Sequence, residues 1–391
     1  MIVLENLVKS YDGKINVVSG LNMHINEGEL VVLIGKSGSG KSTTLRMINR
    51  LIGMTEGDIL INGKSIKKQN VIELRRKIGY VIQKVGLLPH MTVGQNIELI
   101  PQIEGWPVSK RVKRAIELLE LVNLPSKEYY HRFPSELSGG EQQRIGVARA
   151  LAVNPDIILM DEPFSALDPI TREQLQQEIL KIQDELHKTI VFVTHDMDEA
   201  LKIADRIAVL KDGEIVQYDT PEEILKNPVD SYVREFVGND RLWQSPEFLY
   251  AKDFMKHNAT LIGTKRTPAQ AFEMMKSKDS NIGYIVDLES KPPKKFMGKV
   301  SMEQILKSKS HDYKMYQIMQ TDAHYVYEHT NMIEVLRIMK EQNYERVPVL
   351  NRDECVVGYI NRNSILNVVQ DVMPEVDYID TVPATEVLSH E

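Results

Sequence analysis

The sequence has a single cysteine, Cys355, among 391 residues, so no internal disulfide can staple the fold. Cys355 lies in an apolar, strand-like run and reads as core rather than as a reactive thiol. No apolar run approaches the roughly 20 residues that a membrane-spanning helix needs. The longest, such as residues 30–34 and 157–160, have the length of buried strands. The start, Met1-Ile2-Val3-Leu4-Glu5, lacks a basic stretch ahead of an apolar one and does not read as a secretory leader. The expectation is a cytoplasmic chain that meets a membrane only through partners. Positive charge is not in excess: 48 Lys+Arg against 55 Asp+Glu give a net charge of -7, which argues against general nucleic-acid binding. Lys and Arg are missing altogether from residues 371–391, which hold six acids with Pro374 and Pro383 and read as a flexible acidic tail. Residues 241–370 differ, with 19 Lys+Arg against 15 Asp+Glu, a net of +4. That stretch is either ordinary solvated surface or a module that meets an anion or an anionic membrane surface.

A chain of 391 residues exceeds one ordinary core and implies two or three domains. Up to about residue 238, short apolar strands (30–34, 157–160, 190–194) alternate with amphipathic helical stretches (109–122, 171–186), which marks an α/β domain. Residues 227–246, with a proline at each end and Gly238 inside, read as a connector. Beyond it, residues 260–306 and 325–369 each run strand, helix, strand, strand, helix. Two weak copies in tandem suggest one pseudo-symmetric domain whose halves bury each other's apolar faces.

The strongest local motif is Gly35-Lys36-Ser37-Gly38-Ser39-Gly40-Lys41-Ser42, followed by Thr43 and a helix expected over 43–51. It matches G-x-x-x-x-G-K-S between a strand and a helix, the context in which such a loop wraps a phosphate with backbone N–H groups. In that context Lys41 reaches the β- and γ-phosphates and Ser42 ligates Mg²⁺. Far downstream, the apolar strand 157–160 ends in Asp161-Glu162. A strand before an acidic turn is common and alone implies nothing. Beside the glycine loop, it assigns Asp161 to Mg²⁺ and Glu162 to polarising the attacking water.

Leu137-Ser138-Gly139-Gly140-Glu141-Gln142-Gln143-Arg144 resembles the signature sequence of ABC transporter ATPases, ahead of a helix expected over 144–152. The resemblance spans roughly residues 1–238 and holds in order at further positions. It implies a P-loop NTPase fold with a RecA-like core, a β-subdomain, and a helical subdomain within 84–136 that docks on a permease. It also implies a head-to-tail homodimer binding two ATP molecules, in which Ser138, Gly139, Gly140 and Glu141 complete the partner's site. Tyr11 fits the aromatic that stacks on adenine. Gln83 fits the glutamine that links Mg²⁺ and water to the membrane subunit. Asp168, in Ser165-Ala166-Leu167-Asp168, fits the loop coupling the two sites, and His195 fits the switch histidine at the γ-phosphate.

Residues 248–310 and 311–370, after a linker at 239–247, resemble a pair of CBS domains, the first diverged and carrying a basic insert at 291–295. The second is the clearer, with Asn343-Tyr344-Glu345-Arg346-Val347-Pro348-Val349-Leu350 and Gly358-Tyr359-Ile360. Nucleotide-binding CBS pairs use a pattern like G-x-h-T-x-x-D, but Gln304 and Ser364 stand here where its Asp would be. An ABC ATPase with tandem CBS domains is similar to the subunit that drives uptake of glycine betaine, carnitine or choline. Such a subunit works at the cytoplasmic face of the plasma membrane with permease subunits and a substrate-binding protein or domain. The module would then sense ionic strength, bind cyclic di-AMP with Tyr344 on a base and Arg362 near a phosphate, or only dimerise. The competing readings are an importer ATPase for another solute such as an amino acid, a soluble ABC ATPase of translation or repair, and a regulator with a dead ATPase. The complete set Lys41, Asp161, Glu162 and His195 argues against the last.

Overall fold

The computed structural model describes residues 1–83, 86–165, 167–238, 245–308, 313–342 and 344–370. The expected acidic tail, most of the expected linker, Ala166 of the coupling loop and Asn343 lie outside them. The chain divides into a unit spanning Met1–Val237 and a second from Gly238 onward. Among the described residues no helix is long and apolar enough to cross a membrane.

Among its described residues the first unit carries ten strands: β1 (Ile2–Ser10), β2 (Asn16–Ile25), β3 (Leu30–Gly35), β4 (Glu56–Ile61), β5 (Lys64–Ser65), β6 (Ile78–Val81), β7 (Ile157–Asp161), β8 (Thr189–Thr194), β9 (Arg206–Lys211) and β10 (Glu214–Asp219). One sheet runs β10-β9-β3-β8-β7-β6. Its members pair in parallel except for the antiparallel edge strand β10. Every residue of β3, β7 and β8 is buried, as befits apolar runs in a parallel sheet covered on both faces. The register pairs Ile34 with Thr194 and Asp161 with Val193. The chain therefore leaves β3, β7 and β8 side by side at one edge, the carboxyl edge where open α/β sheets bind ligands. A second, antiparallel sheet runs β2-β1-β4-β5 and shares one apolar core with the first through Leu4, Leu21, Ile59, Leu33 and Val191.

Between β6 and β7 lies a helical region with helices Val93–Ile103, Val108–Leu121, Ser126–Tyr129 and Gly139–Ala150. Thr92 and Gln95 form a capping box that starts the first. Buried Glu98 ties the region together, accepting from Arg111 Nε at 3.2 Å and from the Tyr130 hydroxyl. Burial and that hydrogen bond push the Tyr130 phenol up to about 12.

Two helices start earlier than the sequence predicts. One begins at Lys41, directly after Gly40 in the left-handed region, and the signature helix begins at Gly139, with Ser138 as its cap. Part of the expected connector is also helical. Ser231–Val237 forms a helix whose Val233 and Val237 are buried, so it belongs to the first unit.

The second unit holds two three-stranded sheets of one topology: β11 (Leu261–Gly263), β12 (Ile282–Asp287), β13 (Lys295–Ser301), and β14 (Val326–Tyr327), β15 (Arg346–Leu350), β16 (Val356–Asn361). In each, the first strand is parallel and the third antiparallel to the middle one, and a helix separates the first two. That is the repeat expected from the sequence. The halves exchange their leading segments. Leu249, Ala251 and Phe254 pack with Val335, Val347 and Ile360 of the second half. Met315, in the helix Met315–Ile318 that leads into the second half, packs with Ile262, Met275 and Val300 of the first. A third cluster, with Tyr284, Val286, Leu350 and Tyr359, joins the two.

Candidate functional site

Gly40 shapes the loop after β3. Its φ is +96°, and a Cβ there would sit 2.7 Å from the Val17 carbonyl oxygen, so no side chain fits. The next residue opens the helix Lys41–Ile48, whose first residues line a cleft of about 350 Å³. The cleft is lined by Ser37, Gly38, Gly40, Lys41, Ser42, Thr43, Glu162 and His195 from the expected set, with Val17 in addition. Gly35, Lys36 and Ser39 do not line it; Gly35 and Ser39 are buried, whereas Lys36 is exposed. The Lys41 ammonium donates to the carbonyls of Gly35 at 2.7 Å and Lys36 at 2.9 Å. Burial pulls Lys41 below its ordinary range, while the carboxylates of Glu162 and Asp161 pull the other way.

The Ser42 hydroxyl donates to Asp161 Oδ1 at 2.7 Å. A hydroxyl and a carboxylate side by side are the hard oxygen donors Mg²⁺ prefers, and Mg²⁺ is commonly held by one or two carboxylates together with substrate phosphates. Among the described residues no group of three or more His, Cys, Asp or Glu is placed to hold a metal. Arg46, which sequence reasoning passed over, places Nη2 3.6 Å from Asp161 Oδ2.

Glu162 adopts φ +47°, an unfavourable conformation for a residue with a side chain. Its N–H donates to Val193 O at 3.0 Å, and its carbonyl accepts from the N–H (3.3 Å) and hydroxyl (3.0 Å) of Ser165. Those three bonds hold the strained turn and aim the carboxylate at the cleft. Gln83 Nε2 donates to Glu162 Oε2 at 2.9 Å, and His195 Nδ1 lies 3.6 Å from the same oxygen. Gln83 and His195, from two further strand ends, thus converge on the Glu162 carboxylate.

The signature residues do not line this cleft. Ser138 and Glu141 form a capping box at the start of the helix Gly139–Ala150: the Glu141 N–H donates to Ser138 Oγ, and Glu141 Oε2 accepts from the Ser138 N–H at 2.7 Å and hydroxyl at 2.9 Å. Burial works to raise the Glu141 carboxyl, but the bonds from Tyr129 and Ser138 outweigh it and hold it below its ordinary value. A Cβ on Gly139 would meet open space, whereas one on Gly140 would come within 2.4 Å of Thr171 Cγ2. Asp168 caps the helix Pro169–Leu186 by accepting from the N–H groups of Ile170 and Thr171, both at 3.1 Å. Tyr11 stands apart from the cleft wall, 64% exposed, with the Lys9 ammonium 4.9 Å from its ring centre.

In the second unit the Tyr344 ring is engaged by two side chains. The Lys299 ammonium lies 3.5 Å from its centre, and His324 Nδ1 is 3.3 Å from its hydroxyl. Arg362 is exposed at the start of the helix Arg362–Gln370. Gln304 and Ser364, which replace the aspartate of the nucleotide-binding pattern, are both used in helix starts: Gln304 closes a capping box with Ser301, and Ser364 exchanges hydrogen bonds with Asn361.

The family model for ABC transporters matches residues 18–165, and that for CBS domains residues 315–371. The carnitine transport ATP-binding protein OpuCA of Listeria monocytogenes is 46% identical over 372 residues, covering 95% of this chain and 92% of its own. The choline transport ATP-binding protein OpuBA of Bacillus subtilis is 46% identical over 373 residues, covering 95% and 97%. Among solved structures, the dimeric ATP-binding cassette MJ0796 bound to ADP and Pi is 40% identical with a TM-score of 0.52, covering 56% of this chain and 99% of that one. With its glycine loop, strand-end carboxylates, signature helix and paired CBS repeats, the chain belongs to the family of ATP-binding subunits of ABC-type osmoprotectant importers.

Proposed function

We propose that this chain hydrolyses ATP to drive an importer for quaternary-amine osmoprotectants such as carnitine, choline or glycine betaine. The observation that carries the reading is the convergence of Gln83, Glu162 and His195 beside Lys41 at the carboxyl edge of the sheet. Nucleotide phosphates enter against the N–H groups of residues 38–43, and Lys41 exchanges the loop carbonyls for phosphate oxygens. Ser42 and Asp161 would hold Mg²⁺, which supplies charge neutralisation at the phosphates when bound. Glu162, oriented by Gln83, accepts a hydrogen bond from the attacking water and takes its proton as the water oxygen bonds to the γ-phosphorus and the bond to ADP breaks. His195 donates to the γ-phosphate.

The site is completed in a head-to-tail dimer. Ser138 and Gly139 sit at a capped helix N-terminus with open space beside Gly139, an arrangement suited to receiving the γ-phosphate held by a second copy. ATP then favours the closed dimer and hydrolysis releases it, a ligand-biased two-state element. The helical region between β6 and β7 passes that movement to permease subunits at the cytoplasmic face of the membrane, and a substrate-binding protein or domain delivers the solute. Tyr11 stacks on adenine in this reading. The CBS pair regulates the cycle, either through its excess of basic residues, whose attraction to anionic lipid falls as salt rises, or by binding cyclic di-AMP near Tyr344 and Arg362.

The test is transport of carnitine, choline and glycine betaine by the reconstituted complex, with wild-type and Glu162→Gln chains, across salt concentrations and with or without cyclic di-AMP. The variant is expected to bind ATP and lose nearly all turnover. Wild-type turnover in Glu162→Gln, or uptake of none of the three solutes by the wild-type complex, would refute the reading.

A further inference from the structure

Arg172 joins two loops on which hydrolysis depends, without lining the nucleotide cleft. It stands on the first turn of the helix Pro169–Leu186, four residues after the cap Asp168. Its Nη2 donates to the Leu167 carbonyl at 3.2 Å, gripping the coupling loop by its backbone. The same guanidinium faces the loop that carries His195: Nη1 lies 3.7 Å from Asp196 Oδ2, and Nε lies 3.5 Å from Glu199 Oε1. Nε makes no hydrogen bond of good geometry, so the link to Glu199 is Coulombic. Glu199 is only 8% exposed, which leaves little solvent to screen that attraction.

The acidic partners hold both neighbours of His195. Glu199 Oε2 accepts from the Thr194 hydroxyl at 2.5 Å, and Thr194 Oγ1 accepts from the Asp196 N–H at 3.0 Å. Asp196 Oδ1 in turn accepts from the N–H groups of Asp198 at 2.8 Å and Glu199 at 3.3 Å. The His195 side chain is 62% exposed, so packing does little to place it. Its position is set by the backbone on either side, and both anchors of that backbone converge on one arginine.

We infer that Arg172 is a positioning residue for ATP hydrolysis, fastening the Leu167–Asp168 turn to the Thr194–Asp196 turn so that the coupling loop and His195 keep one register. In a dimer, movement of the coupling loop would then carry the histidine with it. The inference rests on the proposed role of His195.

The test uses the full chain in five forms: wild type, Arg172→Gln, Arg172→Lys, His195→Ala and Arg172→Gln/His195→Ala. Steady-state ATPase rates are measured beside the affinity for a non-hydrolysable ATP analogue. Arg172→Gln is expected to lower kcat about tenfold while KM and analogue affinity stay within about twofold, because only placement at the γ-phosphate is disturbed. Arg172→Lys should recover part of the rate, keeping the charge but not the planar fork. In the His195→Ala background, Arg172→Gln should cost nothing further, the signature of two residues acting as one unit. An unchanged kcat in Arg172→Gln, equal losses in affinity and rate, or an additive loss in the double variant would overturn the inference and leave the site reading intact. A wild-type rate in His195→Ala would overturn both. If Arg172→Gln does not fold, Arg172→Lys alone and combined with His195→Ala carries the same comparison.

Discussion

Arg144 lies in the signature helix, and Glu178 lies in the helix that Asp168 caps. They form an ion pair at 3.0 Å with side chains 10% and 5% exposed. Arg144 also donates to Val122 O at 3.3 Å and Gln174 Oε1 at 2.8 Å, and Asn123 Nδ2 donates to Glu178 Oε1 at 2.8 Å. Arg144→Met leaves the carboxylate buried with Asn123 as its remaining partner, a change that typically costs about 3–5 kcal/mol. For a domain of this size each kcal/mol moves the melting temperature by about 2–4 °C, so the expected drop is roughly 6–20 °C by calorimetry. Replacing both partners, Arg144→Met with Glu178→Leu, should recover most of it, because no charge is then stranded. The deficit must also depend on pH. Burial already raises the Glu178 carboxyl, with Asn123 and Arg144 pulling it back, and loss of Arg144 lets it rise further. A carboxyl raised in the folded state weakens that state fully above its folded pKa and not at all below its unfolded one, about 4.3. The deficit of Arg144→Met should therefore shrink as pH falls through the folded pKa. A drop under about 2 °C, a deficit that ignores pH, or a double variant weaker than the single one would refute this reasoning.

Gly140→Ala should lower the melting temperature through an overpacking cost of about 1–3 kcal/mol against Thr171, and added Thr171→Ser should relieve it. Gly139→Ala, pointing into open space, should leave the melting temperature unchanged. Phe254→Ala should destabilise the second CBS half by about 3–5 kcal/mol, although Phe254 precedes the first half in sequence. Hydrogen exchange should then rise in the helix Met332–Glu341, and unchanged protection there would contradict the exchanged packing.

The parallel sheet was legible because β3, β7 and β8 are unbroken apolar runs that end in motif residues. Helix starts were less so. Glycines at 139 and 140 read as a turn, yet Ser138 and Glu141 already spelled a capping box, and that signal could have placed the start. Helix Ser231–Val237 escaped notice because seven residues between prolines show too little periodicity. At the site, Lys41, Ser42, Asp161, Glu162, Gln83 and His195 stood out through their local patterns. Val17 contributes to the cleft through its position on β2, and Arg46 through reach along a helix face. Neither leaves a pattern in neighbouring residues. The partners of Tyr344 were also beyond sequence reasoning, since Lys299 and His324 lie 45 and 20 positions earlier in the chain.

The exchanged leading segments of the CBS repeats bear on how such a module evolves. A gene encoding one repeat alone, cut between the two, would yield a product missing part of its interior, because each half is finished by a stretch that precedes the other. The pair must therefore be inherited, fold and melt together. Loosening either repeat should loosen its counterpart as well, since the two share their interiors.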